Sequence, residues 1–196
     1  MNSISDMPTD HSQVPPTDRS QDDGLPDTAF SAEAWKTSLK KAIDALIEAC
    51  IQCYGERLVS VVLFGSVGRG TSNPQSDIDL LIVAERLPKG RMQRVQEFGC
   101  IEQALQPLLS ELSSIECHVE LSPVFKSPEE LMQGTPLMLD MVEDARILYD
   151  PSDFFGKALA RLSNRLKQLR AKRVWRGNAW WWDLKPDYRS GEVFEI

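Results

Sequence analysis

Two aspartates one residue apart, Asp77 and Asp79, open the apolar run Ile78 to Val83. A short apolar run bounded by polar residues reads as a buried strand. Side chains alternate faces along a strand, so the two carboxylates point the same way. Held that close, like charges repel, and one of them tends to take up a proton. A hard divalent cation removes the conflict, and one or two carboxylates plus substrate phosphates are the usual donor set for Mg²⁺. Just upstream, Gly65-Ser66 ends a first apolar run, Val61 to Phe64. Glycine lets the backbone come close to a phosphate, and free N–H groups with a hydroxyl can cradle it. In the polar loop between the runs, Arg69 suits phosphate geometry, and a solvated loop arginine is the equal alternative. Gly65, Ser66, Arg69 and Ser76 are therefore the candidate nucleotide-binding set, and Asp77 and Asp79 the candidate metal ligands.

These residues need elements to hold them. Ser31 is placed to cap a helix running to about Tyr54, with Trp35, Leu39, Ile43, Leu46, Ile47, Cys50 and Ile51 as one apolar stripe. Strands follow at Leu58 to Phe64 and Ile78 to Val83, with the flexible polar loop Val67 to Ser76 between them. Arg91 to Leu112 has helical periodicity. Ile115 to Leu121 alternates as a strand, with Glu116, His118 and Glu120 on its polar face. Ser127-Pro128-Glu129-Glu130 is a capping box. Thr135-Pro136 opens another helix, Arg146 to Tyr149 is extended, and Asp150-Pro151 opens a helix to about Val174. That helix has a basic face running from Lys157 to Arg176, ending in Trp175, Trp180, Trp181 and Trp182. Aromatic residues beside arginine mark docking surfaces; a solvated helix with core tryptophans is the plainer reading. Asp187 to Ile196 reads as extended. The order predicts an α/β fold, a small mixed sheet flanked by helices, with a C-terminal helical extension.

The 196 residues allow one domain with appendages, and 42% hydrophobic content is enough for a core. Residues 1–27 are polar and acidic and are expected to be disordered; 28–149 are expected to form the main α/β domain, and 150–196 the basic helix and aromatic tail. The net charge of −7 argues against DNA as a partner. No apolar run is long enough to span a membrane, and the polar, acidic N-terminus does not read as a secretory signal, so a cytoplasmic protein is expected. Cys50, Cys53, Cys100 and Cys117 are then expected as reduced thiols, with the Cys50–Cys53 pair in the core rather than on zinc.

Gly65-Ser66, ten residues, then Asp77-Ile78-Asp79 resembles the GS-x10-DxD signature of the DNA polymerase beta nucleotidyltransferase superfamily. GSVGRG followed by SDIDLLIV is most similar to its minimal nucleotidyltransferase (MNT) branch. The resemblance implies transfer of a nucleoside monophosphate, AMP from ATP, to an acceptor hydroxyl. It implies two Mg²⁺ ions roughly 3.5–4 Å apart on Asp77 and Asp79, with β- and γ-phosphates gripped at Gly65 and Ser66. It also implies a third carboxylate on a following strand. Glu120 resembles that position, Glu116 competes for it, and the family more often has aspartate there. Small members of this branch are antitoxins that adenylylate a tyrosine of a HEPN ribonuclease toxin, which makes such a toxin the expected partner. A small-molecule, aminoglycoside-type enzyme and a catalytically weak docking module are the alternatives.

Overall fold

The computed structural model describes residues 28–113, 119–177 and 179–196. Helix α1 (Thr28–Tyr54) leads through a 3-10 turn into strand β1 (Leu58–Leu63). A short helix α2 (Gly65–Arg69) and a loop connect it to β2 (Ile78–Ala84). Then come α3 (Arg91–Ser113), β3 (Leu121–Lys126), α4 (Pro128–Met132), α5 (Pro136–Asp144), β4 (Arg146–Tyr149) and α6 (Phe154–Gln168). A hairpin, β5 (Lys172–Arg176) and β6 (Ala179–Asp183), follows.

The main sheet has the order β3-β2-β1-β4. β1 is antiparallel to β2 and β4, and β2 is parallel to β3 in the register Ile78 opposite Leu121 through Val83 opposite Lys126. This is the mixed sheet flanked by helices that the sequence predicts. Alternation divides the sheet residues between two cores. Val61, Leu63, Ile78, Leu80 and Ile82 pack under α1 and α3, with Trp35, Ile43, Leu46, Phe98, Ile101 and Leu105. Val62, Leu81 and Val83 pack under α4, α5 and α6, with Leu131, Met138, Met141 and Phe155. Each such Leu or Phe, fully buried, stabilises the fold by about 1.5–3 kcal/mol. Truncating Phe98 or Phe155 to alanine would cost about 3–5 kcal/mol.

Several expectations are corrected. α1 begins at Thr28, so Ser31 lies inside it and does not cap it; Ile51 falls off its buried stripe and is exposed. The loop expected from Val67 to Ser76 is not irregular throughout, because Val67 to Arg69 belong to the short helix α2. Of the third strand, expected at Ile115 to Leu121, residues 115–118 lie outside the described residues, and β3 as described runs on past Leu121. It starts at Leu121 and continues through Pro123, which an edge strand tolerates because the missing N–H faces outward. The last helix stops at Gln168, and Arg170 turns to φ +57°, so Lys172, Arg173 and Trp175 belong to a hairpin. The tail folds back in turns, with Tyr188 edge-on to Phe194, rather than extending. Cys53 and Cys100 are joined as a disulfide instead of standing as thiols. The cause is packing: α1 lies on α3 and brings the two Cα atoms to 6.8 Å, within bridging reach. Cys50 is free and buried, its thiol pushed up to about 12 by desolvation. Cys117 and His118 lie outside the described residues.

Two caps stand as the sequence predicts. Ser127 and Glu130 form the reciprocal capping box of α4, and the Thr135 hydroxyl accepts from the Leu137 N–H at the start of α5. Glu130 also takes both Arg94 Nη atoms, at 2.8 and 2.7 Å. Arg94 donates further to the carbonyls of Pro88 and Phe125. This ties α3, β3 and α4 together and holds the Glu130 carboxyl down at about 2, chiefly through the Arg94 hydrogen bonds. The folded value lies below the ordinary 4.5, so its stabilisation is present above pH 4.5 and is lost as pH falls toward 2. Glu130→Gln should therefore melt below the native chain at pH 7, and the gap should close between pH 4.5 and 2. A gap that is constant with pH would mean the pair contributes through shape alone. Among the described residues no helix is long and apolar enough to cross a membrane.

Candidate active site

The site forms where β1 ends. Phe64 stays extended and its N–H donates to the Asp79 carbonyl at 3.1 Å, carrying the β1–β2 ladder one step past Leu63. Gly65 then takes φ +64°, in the left-handed region that favours glycine. Its second reason to be glycine is space: a β-carbon there would lie 2.1 Å from Asp79 Oδ2. The Gly65 backbone thus rests directly on the carboxylate. α2 begins at this contact and is pinned by buried Val67. The N–H groups of a helix's opening turn lack intrahelical acceptors, so Ser66 and Val67 offer amides beside the carboxylates. Gly68 lets α2 approach the end of α5, where a β-carbon would come 2.7 Å from the Asp144 carbonyl oxygen.

The loop to β2 is held by its own polar groups. The Thr71 N–H donates to the Ser66 carbonyl at 3.0 Å. The Asn73 N–H donates to Ser76 Oγ, and the Gln75 N–H to Asn73 Oδ1, each at 2.9 Å. The Ser76 hydroxyl is therefore spent on shaping the loop that delivers Asp77. Asp77 is exposed and Asp79 half-buried. Burial first, then the neighbouring charge of Asp77, raises the Asp79 carboxyl above its ordinary range, while Arg69 opposes the shift. This is the charge conflict expected of paired carboxylates. An all-oxygen donor pair with unrelieved negative charge fits a hard divalent cation such as magnesium.

The β2–β3 register sets Ser122, not a carboxylate, opposite Asp79. Glu120 lies one step before that register, opposite Asp77, with its carbonyl accepting from the Ile78 N–H at 2.8 Å. Its side chain is exposed. Among the described residues no three carboxylate, histidine or cysteine groups are gathered as a ready metal cluster. Glu116 lies outside the described residues. Arg69 reaches Asp144 Oδ2 at 3.4 Å, and the same oxygen accepts from Arg173 at 2.7 Å. Sequence reasoning missed Asp144, and read Arg173 as one charge on a solvated face. A groove of about 640 Å³, lined by Leu131, Met138, Leu162 and Ile196, lies away from the carboxylates and does not belong to this site.

Residues 43–149 match the nucleotidyltransferase domain family. The chain belongs to that family. Its nucleotidyltransferase segment ends with β4, so all of the sheet and both aspartates lie within it. A relative, MJ1305 of Methanocaldococcus jannaschii, is a protein adenylyltransferase by name; it is 30% identical over 134 residues, covering 67% of this chain and 86% of the relative. Enzyme class and fold are thereby set: a nucleotidyltransferase on a mixed four-stranded sheet. Solved nucleotidyltransferase structures resemble it at lower identity. Spectinomycin adenyltransferase AAD(9) of Enterococcus faecialis, with ATP and spectinomycin, is 12% identical over 66% of each chain, with a TM-score of 0.46. A complex of a Shewanella oneidensis HEPN toxin with its MNT antitoxin is 15% identical, covering 67% of this chain and 92% of that one, with a TM-score of 0.36. At these identities and TM-scores neither likeness carries an argument about this chain.

Proposed function

We propose that this nucleotidyltransferase moves AMP from ATP to a hydroxyl on a protein, and that the acceptor is a tyrosine of a HEPN-type toxin silenced by the transfer. The observation that carries the catalytic part is the seat of the Gly65 backbone on the Asp79 carboxylate, which supports reading the α2 amides as phosphate donors beside carboxylates that hold metal. Asp77 and Asp79, with Glu120 completing the set, are the residues that would hold two magnesium ions. Bound there, magnesium neutralises the triphosphate and lowers the pKa of the acceptor hydroxyl. The Ser66 hydroxyl and the first amides of α2 hold the β- and γ-phosphates. Arg69 turns from Asp144 toward the same phosphates. Ser76 keeps the loop in the shape that presents Asp77. Glu120, exposed at the adjacent strand, receives the acceptor proton. Positioning and charge neutralisation supply most of the rate in phosphoryl transfer.

A protein acceptor draws support from the relative named as a protein adenylyltransferase and from the hairpin beyond the family segment. Trp175 and Trp181 stand 56% and 49% exposed on it, as residues that anchor protein interfaces do. We assign 28–149 to catalysis and 150–196 to partner recognition, and place the reaction in the cytoplasm, where ATP is abundant. One observation favours a second reading, docking without transfer: no three-ligand cluster is assembled among the described residues. Incubation with labelled ATP, magnesium and the candidate toxin separates the two. Label on the toxin, absent with Asp79→Asn, is the expected result. A toxin bound and silenced without label would establish the docking module instead.

A further inference from the structure

Asp144 sits at the end of α5 and serves two arginines through one oxygen. Arg173 donates to Asp144 Oδ2 at 2.7 Å and to Glu143 Oε2 at 3.0 Å. Its guanidinium lies over the rings of Trp175 and Trp180, with centroids 4.8 and 4.0 Å away. The Arg173 side chain is 7% exposed and that of Asp144 11%. Arg69 makes only the long contact, at 3.4 Å, and is 33% exposed. Its charge is felt at Asp79 and at Asp140 as well. A guanidinium fixed by two carboxylates and two rings is immobile, whereas one held by a single stretched contact is free to turn.

We propose that Arg173 is a positioning residue for the nucleotide: by saturating Asp144, it keeps Arg69 from being locked into an ion pair and leaves it available to the triphosphate. This rests on the reading of Arg69 as a phosphate ligand. Without the Arg173 charge, a nearly buried Asp144 has, among the described residues, only Arg69 as an ion-pair partner. The Arg69–Asp144 contact then shortens, and ATP must break it before binding. The hairpin is thereby coupled to the nucleotide site, because Trp175, one of the two rings that clamp Arg173, is exposed on the surface offered to a protein partner.

The test measures the dissociation constant of ATP, with magnesium, by calorimetry on the full chain, beside a thermal melt. Arg173→Gln should weaken ATP binding about tenfold, the scale of one charge-assisted hydrogen bond. Arg173→Lys, which keeps the charge, should recover most of it. Asp144→Asn should tighten binding, and combined with Arg173→Gln it should restore native affinity even where the melting temperature stays low. A merely structural Arg173 predicts the opposite, with the double variant no better than Arg173→Gln. Weaker binding in Asp144→Asn alone overturns the proposal, and that variant remains informative if Arg173→Gln does not fold. If Arg69→Gln weakens ATP binding but Arg173→Gln does not, only this inference fails. If Arg69→Gln binds ATP normally, the phosphate role of Arg69 falls and the inference falls with it.

Discussion

Asp79→Asn abolishes nucleotidyl transfer and leaves the fold standing: this is the expected result with the largest effect on activity. Asp79 is the second residue of β2, between β1 and β3, and has the Gly65 backbone packed on its carboxylate. Asparagine keeps the volume and removes the charge. Asp77 then stays as the remaining carboxylate of the pair, and the proposed cation loses the charged ligand that lies against the Gly65 backbone. Loss of one preorganised electrostatic contact costs about 10²–10³ in rate, and a directly ligating carboxylate should exceed that. Stability moves the other way. The folded protein raises the Asp79 carboxyl through burial and through Asp77, so ionised Asp79 is a cost to folding at neutral pH that asparagine removes. The melting temperature should hold or rise. Asp77→Asn should also remove activity, and it should let Asp79 ionise at lower pH by ending the repulsion. Product formation with ATP and magnesium, beside the melt, decides the matter. Activity of Asp79→Asn near that of the native chain would refute the metal assignment.

Local signals were legible wherever the chemistry is local. The glycine turn, the paired aspartates, the Ser127 capping box and the Thr135-Pro136 helix start each act within a few residues, and each stands in the structure. Pattern failed where a distant partner decides. Ser122-Pro123 reads as a strand end, yet parallel pairing with β2 carries β3 through it, since the proline sits on an outer strand. Arg173 follows the spacing of a solvated basic face. Only the turn at Arg170 shows that the chain reverses there and delivers Arg173 to carboxylates on α5. The Cys53–Cys100 bond likewise depends on α1 lying against α3, which no spacing encodes. The paired aspartates at the start of β2 were therefore readable from sequence as candidates, and the ion pairs around Asp144 were not.

Gly65→Ala separates the two reasons for glycine at the turn that follows β1. The first is backbone: φ +64° is left-handed, and a side chain there costs about 1–2 kcal/mol. The second is contact: the added methyl would sit 2.1 Å from Asp79 Oδ2. That oxygen is the end of a side chain, so it swings aside and the strand survives. The displaced carboxylate no longer faces the amides of α2, and a misplacement near 1 Å costs about 10²-fold in rate. Gly70 supplies the control. It too is left-handed, at φ +72°, and a β-carbon there meets nothing within 4 Å. Gly70→Ala should carry the backbone cost alone, lowering the melting temperature by a few degrees, about what 1–2 kcal/mol does in a chain of this size, with transfer nearly intact. Gly65→Ala should melt at a similar temperature or lower and lose about two orders of magnitude of activity. Equal activities in the two variants would show that the Gly65–Asp79 contact is not what places the carboxylate.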